Sequence, residues 1–340
     1  MKAELGIFPK NRQILKDIVP LDTPLAVDIH MTHLCNFKCN YCILSQSEEV
    51  FSKSGLKREQ MDWEVFELLV KQLQEFPRKI KMVTMSGIGE CTIHPRLIDM
   101  IKLLRDSNAV ETIQIITNGA RLTPQLSNQL VEAGLNELRI SLQGLSEKKY
   151  MEIADYKLNW EEYYSNICYF SKIRGNCKLK IKIADTALEP GDEEKFYALF
   201  GDICDAVAIE HIYDAFTQNG YIVNGKQSQL TRYGRELKSI NVCCRPFTRI
   251  DILPDGSYTQ FCHVNFGFEK NIKEKSIREQ WNSRGQNKLR EDMLRYGIEK
   301  FPKCQICEVR EYTWHPEDIL DGHEEEILER MRQKGMLDES

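Results

Sequence analysis

The chain has 340 residues, of which 42% are hydrophobic and 29% charged, and its net charge is −5. This composition is ordinary for a globular protein that buries a large core, and its negative balance gives no sign of a nucleic-acid-binding surface. The sequence contains no run of 18 apolar residues and no apolar leader, so we expect a cytoplasmic protein without a membrane anchor. Its twelve cysteines then indicate ligands or free thiols rather than disulfides.

The predicted elements alternate between strand and helix over most of the chain. Residues 1–24 show no clear hydrophobic period, and we expect them to form an N-terminal extension packed on the core. From residue 25 onward, hydrophobic patterning predicts strands at 25–31, 79–85, 111–117, 136–142, 179–184 and 206–212, and helices at 63–76, 95–105, from 124, at 147–154, 160–173 and 192–200. This alternation predicts a parallel sheet with right-handed crossovers, in which ligands gather at the carboxyl ends of the strands.

Three cysteines follow the first of these strands within eight residues. Cys35, Cys39 and Cys42 have the spacing C-x3-C-x2-C on a loop. Thiolates so close together suit a metal ion or an iron–sulfur cluster better than disulfides. Three protein ligands leave a coordination position open for a substrate, although a zinc knuckle whose fourth ligand comes from elsewhere is the alternative.

Short polar turns follow the next three strands. The turn at 86–91 contains Gly87, Gly89 and Glu90; its glycines allow a close approach of the backbone to a ligand, and its carboxylate can accept hydrogen bonds from an ammonium group. The turn at 117–119 contains Asn118, and Asn-Gly chemistry alone also explains it. The turn at 141–144 contains Ser141 and Gln143.

The cysteine loop, with Tyr41 directly before its last cysteine, resembles the signature of the radical S-adenosylmethionine (SAM) superfamily. The resemblance implies an α/β fold in which residues 25–213 form a partial (β/α)6 TIM-like barrel. It also implies that the three cysteines hold a [4Fe–4S] cluster whose fourth iron is chelated by SAM. The turns are similar to further motifs of this family, which implies SAM-site roles for Tyr41, Gly87, Gly89, Glu90, Asn118, Ser141 and Gln143.

A second group of cysteines lies in the last third of the chain. A predicted β-hairpin at 248–253 and 257–261 and a helix at 276–295 lie among Cys243, Cys244, Cys262, Cys304 and Cys307. Four such ligands also fit structural zinc. Beside the first motif, however, residues 243–312 resemble the twitch domain, the shortened SPASM domain of some radical SAM enzymes, aminocyclitol-oxidising members included. That resemblance implies an auxiliary [4Fe–4S] cluster on Cys244, Cys262, Cys304 and Cys307.

The remaining segments complete the predicted organisation. Residues 214–242 are a predicted linker, and residues 313–340 a tail with a charged helix near 323–334. Cys243 is left over, either as an idle neighbour of Cys244 or as a hydrogen-atom donor to a substrate radical.

The leading functional hypothesis is the two-electron oxidation of a secondary alcohol on a sugar or aminocyclitol by a 5′-deoxyadenosyl radical. Epimerisation or peptide modification is the alternative, and a non-catalytic zinc protein is the competing class. His211, Arg245 and His263 are candidates for the catalytic base. The resemblance also implies a flavodoxin- or ferredoxin-type reductant as partner, with neither a membrane nor a nucleic acid expected.

Overall fold

A computed structural model describes residues 1–8, 12–212, 229–259 and 270–337. Within these residues the strands form one ten-stranded sheet. The strands are β1 (Glu4–Leu5), β2 (Ala26–His30), β3 (Ile80–Ser86), β4 (Val110–Thr117), β5 (Glu137–Leu142), β6 (Lys178–Ala184), β7 (Ala206–Glu210), β8 (Arg249–Ile252), β9 (Ser257–Thr259) and β10 (Lys270–Asn271).

The helices alternate with the strands as far as β7 and dominate the C-terminal part. Those of the first part are α1 (Leu15–Ile18), α2 (Glu48–Lys53), α3 (Trp63–Leu73), α4 (Leu97–Asp106), α5 (Pro124–Glu132), α6 (Glu147–Ala154), α7 (Trp160–Ile173) and α8 (Asp192–Phe200). Those that follow are α9 (Arg245–Thr248), α10 (Ile277–Trp281), α11 (Arg284–Tyr296), α12 (Pro302–Gln305), α13 (Val309–Tyr312) and α14 (Glu324–Gln333).

Strands β2 to β7 are parallel and lie side by side in chain order, which confirms the predicted α/β architecture. The sheet does not close. Instead, β1 of the N-terminal extension pairs in parallel with β7 at one side, and β8 of the C-terminal hairpin pairs in parallel with β2 at the other. The hairpin therefore continues the sheet of the core directly, with β9 and β10 antiparallel at its edge.

The two faces of the sheet differ in polarity. On β5, Leu138, Ile140 and Leu142 are buried in the hydrophobic core, whereas Glu137 and Arg139 alternate with them and point to the opposite face. Polar groups on that opposite face bond from strand to strand, as in the contacts from Thr84 to Gln114, from Gln114 to Glu137 and from Lys180 to Glu137. We call this polar side the inner face; the helices cover the apolar side.

One predicted helix is divided in two. The pattern at 276–295 predicts a single helix, but α10 ends at Trp281 and α11 begins at Arg284. The hydroxyl of Ser283 caps α11 by accepting a hydrogen bond from the backbone N–H of Gln286 at 3.2 Å. The continuous prediction was wrong because a serine at this position offers the backbone a new helix start.

Candidate active site

The cysteine loop runs from the end of β2 across the end of α6. The backbone N–H groups of Lys38 and Asn40 donate to the carbonyls of Ala154 and Ile153, each at 2.8 Å. A tight turn follows, in which the N–H of Cys42 donates to the carbonyl of Cys39 at 2.9 Å. These bonds fix the loop backbone without using any thiol, so the three sulfurs remain available as ligands.

The three thiols are half-buried, free of disulfides and close enough to influence one another. Burial is the main reason why the pKa of Cys35 is raised to about 11 and that of Cys39 to about 12; the charges of Glu90 and Cys42 contribute at Cys35, and the charge of Cys42 contributes at Cys39. Within the described ranges, no three His, Cys, Asp or Glu side chains are arranged to hold a single metal ion. A [4Fe–4S] cluster instead binds each cysteine to a different iron, and this set of three thiols fits a cluster that keeps one iron open.

Tyr41 joins the cysteine loop to the end of β5. Its hydroxyl donates a hydrogen bond to the Gln143 side-chain oxygen, and the Gln143 amide lies 3.4 Å from the carbonyl oxygen of Ser141. Burial raises the pKa of Tyr41, so the phenol remains a neutral donor. An amide at position 143 suits this contact because its oxygen accepts from the phenol while its nitrogen donates to the backbone.

Glu90 is a buried hub, 2% exposed, between the ends of β3 and β4. Its Oε1 accepts from the N–H of Thr92 at 3.0 Å, from the Thr92 hydroxyl at 2.6 Å and from the Thr117 hydroxyl at 2.6 Å. Its Oε2 accepts from the N–H of Asn118 at 2.7 Å. Since a carboxylate has about four acceptor sites, Glu90 is largely satisfied by the protein and ties two of the predicted motifs together.

The two glycines of the turn at 86–91 pack against the segment 30–34, which leads into the cysteine loop. A Cβ atom at Gly89 would lie 2.3 Å from the carbonyl oxygen of Thr32 and 2.5 Å from that of Leu34, and one at Gly87 would lie 2.7 Å from the His30 ring. Both positions therefore require glycine for loop packing. Asn118 contacts the same loop, because its side-chain nitrogen donates to Asn36 Oδ1 at 2.8 Å.

A buried polar chain that the sequence analysis missed lies below the cysteine loop. His30 Nδ1 is 3.2 Å from His33 Nε2, and His30 Nε2 is 3.6 Å from a carboxylate oxygen of Asp251 on β8. Burial, followed by the charge of Asp28, raises the pKa of Asp251 to about 6. The parallel pairing of β2 with β8 brings Asp251 to His30, and no local sequence signal marks that contact.

The ends of β6 and β7 carry two ion pairs. Glu210 Oε2 lies 2.5 Å from Lys182 Nζ and 2.6 Å from Arg232 Nη2. Burial, together with the charge of Arg232, lowers the pKa of Lys182 to about 8.

Beside this cluster, His211 forms a pair with Asp185. His211 Nδ1 lies 2.8 Å from Asp185 Oδ2, and the backbone N–H of Thr186 donates to the other carboxylate oxygen at 2.8 Å. Glu210 and His211 are adjacent in sequence but pair with different partners.

Of the adjacent pair Cys243 and Cys244, Cys243 is the one whose charge acts on both Cys304 and Cys307. Burial raises the pKa of Cys304 to about 12 and also raises that of Cys307, and in both cases Cys243 is the strongest charged neighbour. Cys244 is the residue before α9 and has helical backbone angles; its strongest charged neighbour is Asp318. Cys262 and the base candidate His263 lie outside the described residues.

Two arginines border this C-terminal group. Arg310 donates to the carbonyl of Cys304 at 2.8 Å, to that of Cys307, and to that of Ile240 at 2.8 Å, so one guanidinium holds the C-x2-C turn. Arg245 begins α9, and its positive charge acts on both Cys244 and Cys307. The sequence analysis missed the role of Arg310, since its partners are backbone carbonyls that become neighbours only in the folded chain.

Comparison with known proteins finds one family model that matches part of the chain. Residues 29–181 match the model of the Radical SAM superfamily. A cofactor-modifying protein for tungsten-containing aldehyde ferredoxin oxidoreductase from Pyrococcus furiosus is 23% identical, over 83% of this chain and 87% of that protein. The GTP 3′,8-cyclase of Chlorobaculum tepidum is 29% identical, and the match spans only 42% of each chain.

Solved structures share the fold. BtrN in complex with AdoMet and 2-DOIA has a TM-score of 0.52 at 17% identity, over 83% of this chain and 92% of BtrN. SuiB of Streptococcus suis bound to SAM has a TM-score of 0.59 at 16% identity, over 91% and 79% of the two chains. No helix in the described part of the chain has the length and apolar character needed to cross a bilayer. Residues 29–181, the part that matches the superfamily model, contain the cysteine loop and the turns after β3, β4 and β5, and the solved structures show the same fold.

Proposed function

We propose that this protein is a radical SAM dehydrogenase that oxidises a secondary alcohol of a sugar-like substrate to a ketone. The substrate class is taken from BtrN, whose solved complex contains 2-DOIA. The observation that carries the proposal is the His211–Asp185 pair, a histidine oriented by a carboxylate at the strand ends, where ligands gather in parallel α/β folds.

The cofactors would be held by the two cysteine groups. Cys35, Cys39 and Cys42 would ligate a [4Fe–4S] cluster that, with SAM, supplies a 5′-deoxyadenosyl radical able to take a hydrogen atom from the substrate carbon. Cys243, Cys304 and Cys307, together with Cys262, would ligate an auxiliary [4Fe–4S] cluster that can accept one electron. Around the first group, Glu90, Asn118 and the Tyr41–Gln143 pair hold the loop in place, and the turns with Gly87, Gly89 and Ser141 border the SAM site.

His211 is the proposed base for the substrate hydroxyl. Because Asp185 accepts from Nδ1 at 2.8 Å, the neutral imidazole carries its hydrogen on Nδ1 and presents a lone pair on Nε2. His211 Nε2 would take the hydroxyl proton, while the bound cofactors would supply the acceptors for the hydrogen atom on carbon and for one electron. The sum is the loss of two electrons and two protons, which leaves a ketone.

Peptide modification and epimerisation are the alternative activities, and one observation favours each of them. SuiB and anSMEcpe have solved complexes with peptides, which favours a peptide substrate. Cys244 lies half-buried beside the proposed auxiliary ligand Cys243, and its thiol, whose pKa is raised by burial, favours a hydrogen-atom donor and hence an epimerase. In either case a flavodoxin- or ferredoxin-type protein would supply the first electron. A zinc protein without catalysis is the competing class.

Anaerobic reconstitution followed by substrate screening tests the proposal. We expect about eight irons per chain, the content of two [4Fe–4S] clusters, and 5′-deoxyadenosine release in step with ketone formation. His211→Gln should still cleave SAM but form the ketone about 10²- to 10⁴-fold more slowly, the usual contribution of a general base. His323→Gln, at the start of α14, is the matched control and should behave like the parent.

Three results would contradict the proposal at different levels. If the purified protein contains zinc in place of iron, a radical SAM activity is excluded. A substrate that releases 5′-deoxyadenosine without a change of oxidation state would favour the epimerase. Ketone formation at the parent rate in His211→Gln would remove His211 as the base while leaving the reaction itself intact.

A further inference from the structure

A cluster of aromatic rings and cationic side chains lies where the N-terminal extension meets the inner face of the sheet. The Phe8 ring centroid is 4.7 Å from that of Tyr233 and 5.0 Å from that of His315, and the Arg139 guanidinium carbon is 5.4 Å from the Phe8 centroid. Arg235 completes the group, with Nη1 3.0 Å from His315 Nδ1. We call these five residues the Phe8 cluster; neither the cysteine groups nor the His211–Asp185 pair includes any of them.

The hydrogen on the His315 ring can be assigned from its neighbour. A guanidinium only donates, so the Nδ1 atom that faces Arg235 must accept, and Nε2 must carry the hydrogen. Burial, with the charges of Arg12 and Arg235, lowers the pKa of His315 to about 3, so the ring is neutral. The side chain is 5% exposed, and Nε2 has no hydrogen-bond partner among the described residues.

Other buried donors nearby share this property. Arg139 Nε and Trp314 Nε1 are also without an acceptor among the described residues, and the Arg235 guanidinium lies 5.8 Å from the Trp314 ring centroid. A buried donor without a partner destabilises the fold, so a ligand that supplies an acceptor at that atom is favoured. Because all three atoms are donors, the group that would complement them is rich in acceptors.

The charge of the surrounding side chains indicates that the acceptor group which would complement these donors is an anion. Glu137 is shared by Arg139 at 3.3 Å and Lys180 at 2.7 Å, so two cations have one carboxylate. Among the described residues, no carboxylate lies within ion-pair distance of Arg235. The neighbouring Glu210 likewise serves both Lys182 and Arg232. An excess of positive charge next to unused N–H groups attracts an oxyanion and disfavours an ammonium group.

We propose that the Phe8 cluster binds a phosphate or carboxylate group of the substrate, through Arg235, Arg139 and His315 Nε2–H. As a statement about the substrate, this rests on the proposed function; as an oxyanion site, it stands on its own contacts. The segment 231–235 links the two regions, because the backbone N–H of His211 donates to the carbonyl of Arg232 at 3.0 Å. The substrate class is then a sugar phosphate or sugar acid rather than an aminocyclitol.

Binding measured without turnover tests this site separately from the reaction. Titration calorimetry on the reconstituted full-length protein at constant ionic strength would use glucose 6-phosphate, glucuronate and glucosamine as probes. We expect at least one of the two anionic sugars to bind tenfold or more tightly than glucosamine. Arg235→Gln should weaken that binding about tenfold or more, since a charge-assisted hydrogen bond contributes about 1.5–3 kcal/mol.

Further variants separate binding from folding. His315→Phe keeps an aromatic ring but removes the Nε2–H donor and should weaken the same probe, whereas Arg278→Gln, an exposed charge on α10, should not. Arg235→Lys should retain part of the affinity. A preference for glucose 6-phosphate would identify a phosphate site, and a preference for glucuronate a carboxylate site.

The proposal is overturned by any of three results. In the first, neither anionic sugar binds the parent protein more tightly than glucosamine does. In the second, Arg235→Gln and His315→Phe, both with parent-like melting temperatures, bind the probe as the parent does. In the third, Arg278→Gln weakens binding as much as Arg235→Gln, which would show a general charge effect. Loss of alcohol oxidation with probe binding intact would instead count against the proposed function alone.

Discussion

The two cysteine groups are assembled in different ways. Cys35, Cys39 and Cys42 lie within one loop, and the turns that hold this loop come from the ends of neighbouring parallel strands. Cys243, by contrast, is about sixty residues from the Cys304–Cys307 turn, and the packing of the C-terminal helices brings them together. The first group is therefore largely local in sequence, whereas the second exists only in the folded chain.

The side chain that organises the hydrogen bonds around each cysteine group also differs in charge. Glu90 is an anionic hub whose oxygens accept from side chains and backbone at the ends of β3 and β4. Arg310 is a cationic hub whose guanidinium donates to the carbonyls of both cysteines in its turn. Each hub satisfies backbone or hydroxyl groups near the thiols and leaves the thiols themselves available for iron.

The largest expected effect is the loss of SAM cleavage when the first cysteine group is removed and the second is kept. Changing Cys35, Cys39 and Cys42 together to Ala should abolish release of 5′-deoxyadenosine with dithionite and leave about four irons per chain, the content of one [4Fe–4S] cluster. The measurement is anaerobic iron and sulfide analysis beside chromatography of the nucleoside. If this variant still cleaves SAM, the proposed division of roles between the two cysteine groups is wrong, because the radical site then lies elsewhere.

The next effect concerns the adjacent cysteines of the second group. Cys243→Ala should lose about four of eight irons, since Cys243 is the neighbour of Cys304 and Cys307, and Cys244→Ala should keep all eight. The sequence predicts the opposite assignment, so iron content and EPR of the reduced variants decide between them. Retention of auxiliary iron in Cys243→Ala with its loss in Cys244→Ala would support the sequence-based assignment.

The smallest effect tests the anionic hub. Glu90→Gln keeps the shape of the side chain but replaces one acceptor oxygen with a donor that faces other donors. We expect SAM affinity to fall roughly tenfold, the equivalent of about 1.4 kcal/mol, without loss of iron. Equilibrium binding of SAM to the reconstituted variant measures this change. Exposed Glu152→Gln is the control, and unchanged affinity in Glu90→Gln would remove Glu90 from the SAM site.

Much of the fold could be predicted because its signals are local. Strands β2 to β7 are apolar on one side and are separated by helices with clear starts, such as α5, where Thr123 caps the helix and Pro124 opens it. These periods and caps depend on residues a few positions apart. The break at Asn282–Ser283 was missed because helical apolar spacing continues across it, and only the serine cap marks the new start.

The sequence by itself determined the parallel sheet, the three-thiol loop and the polar turns at the strand ends, because each depends on residue types at short spacing. Tertiary structure alone brings Cys243 close enough to Cys304 and Cys307 for its charge to act on them. It also decided that Asp251 meets His30 and that Phe8 packs between Arg139 and His315. These pairs are more than sixty residues apart in the chain, and strand order and helix packing, rather than any local pattern, set the distances between their side chains.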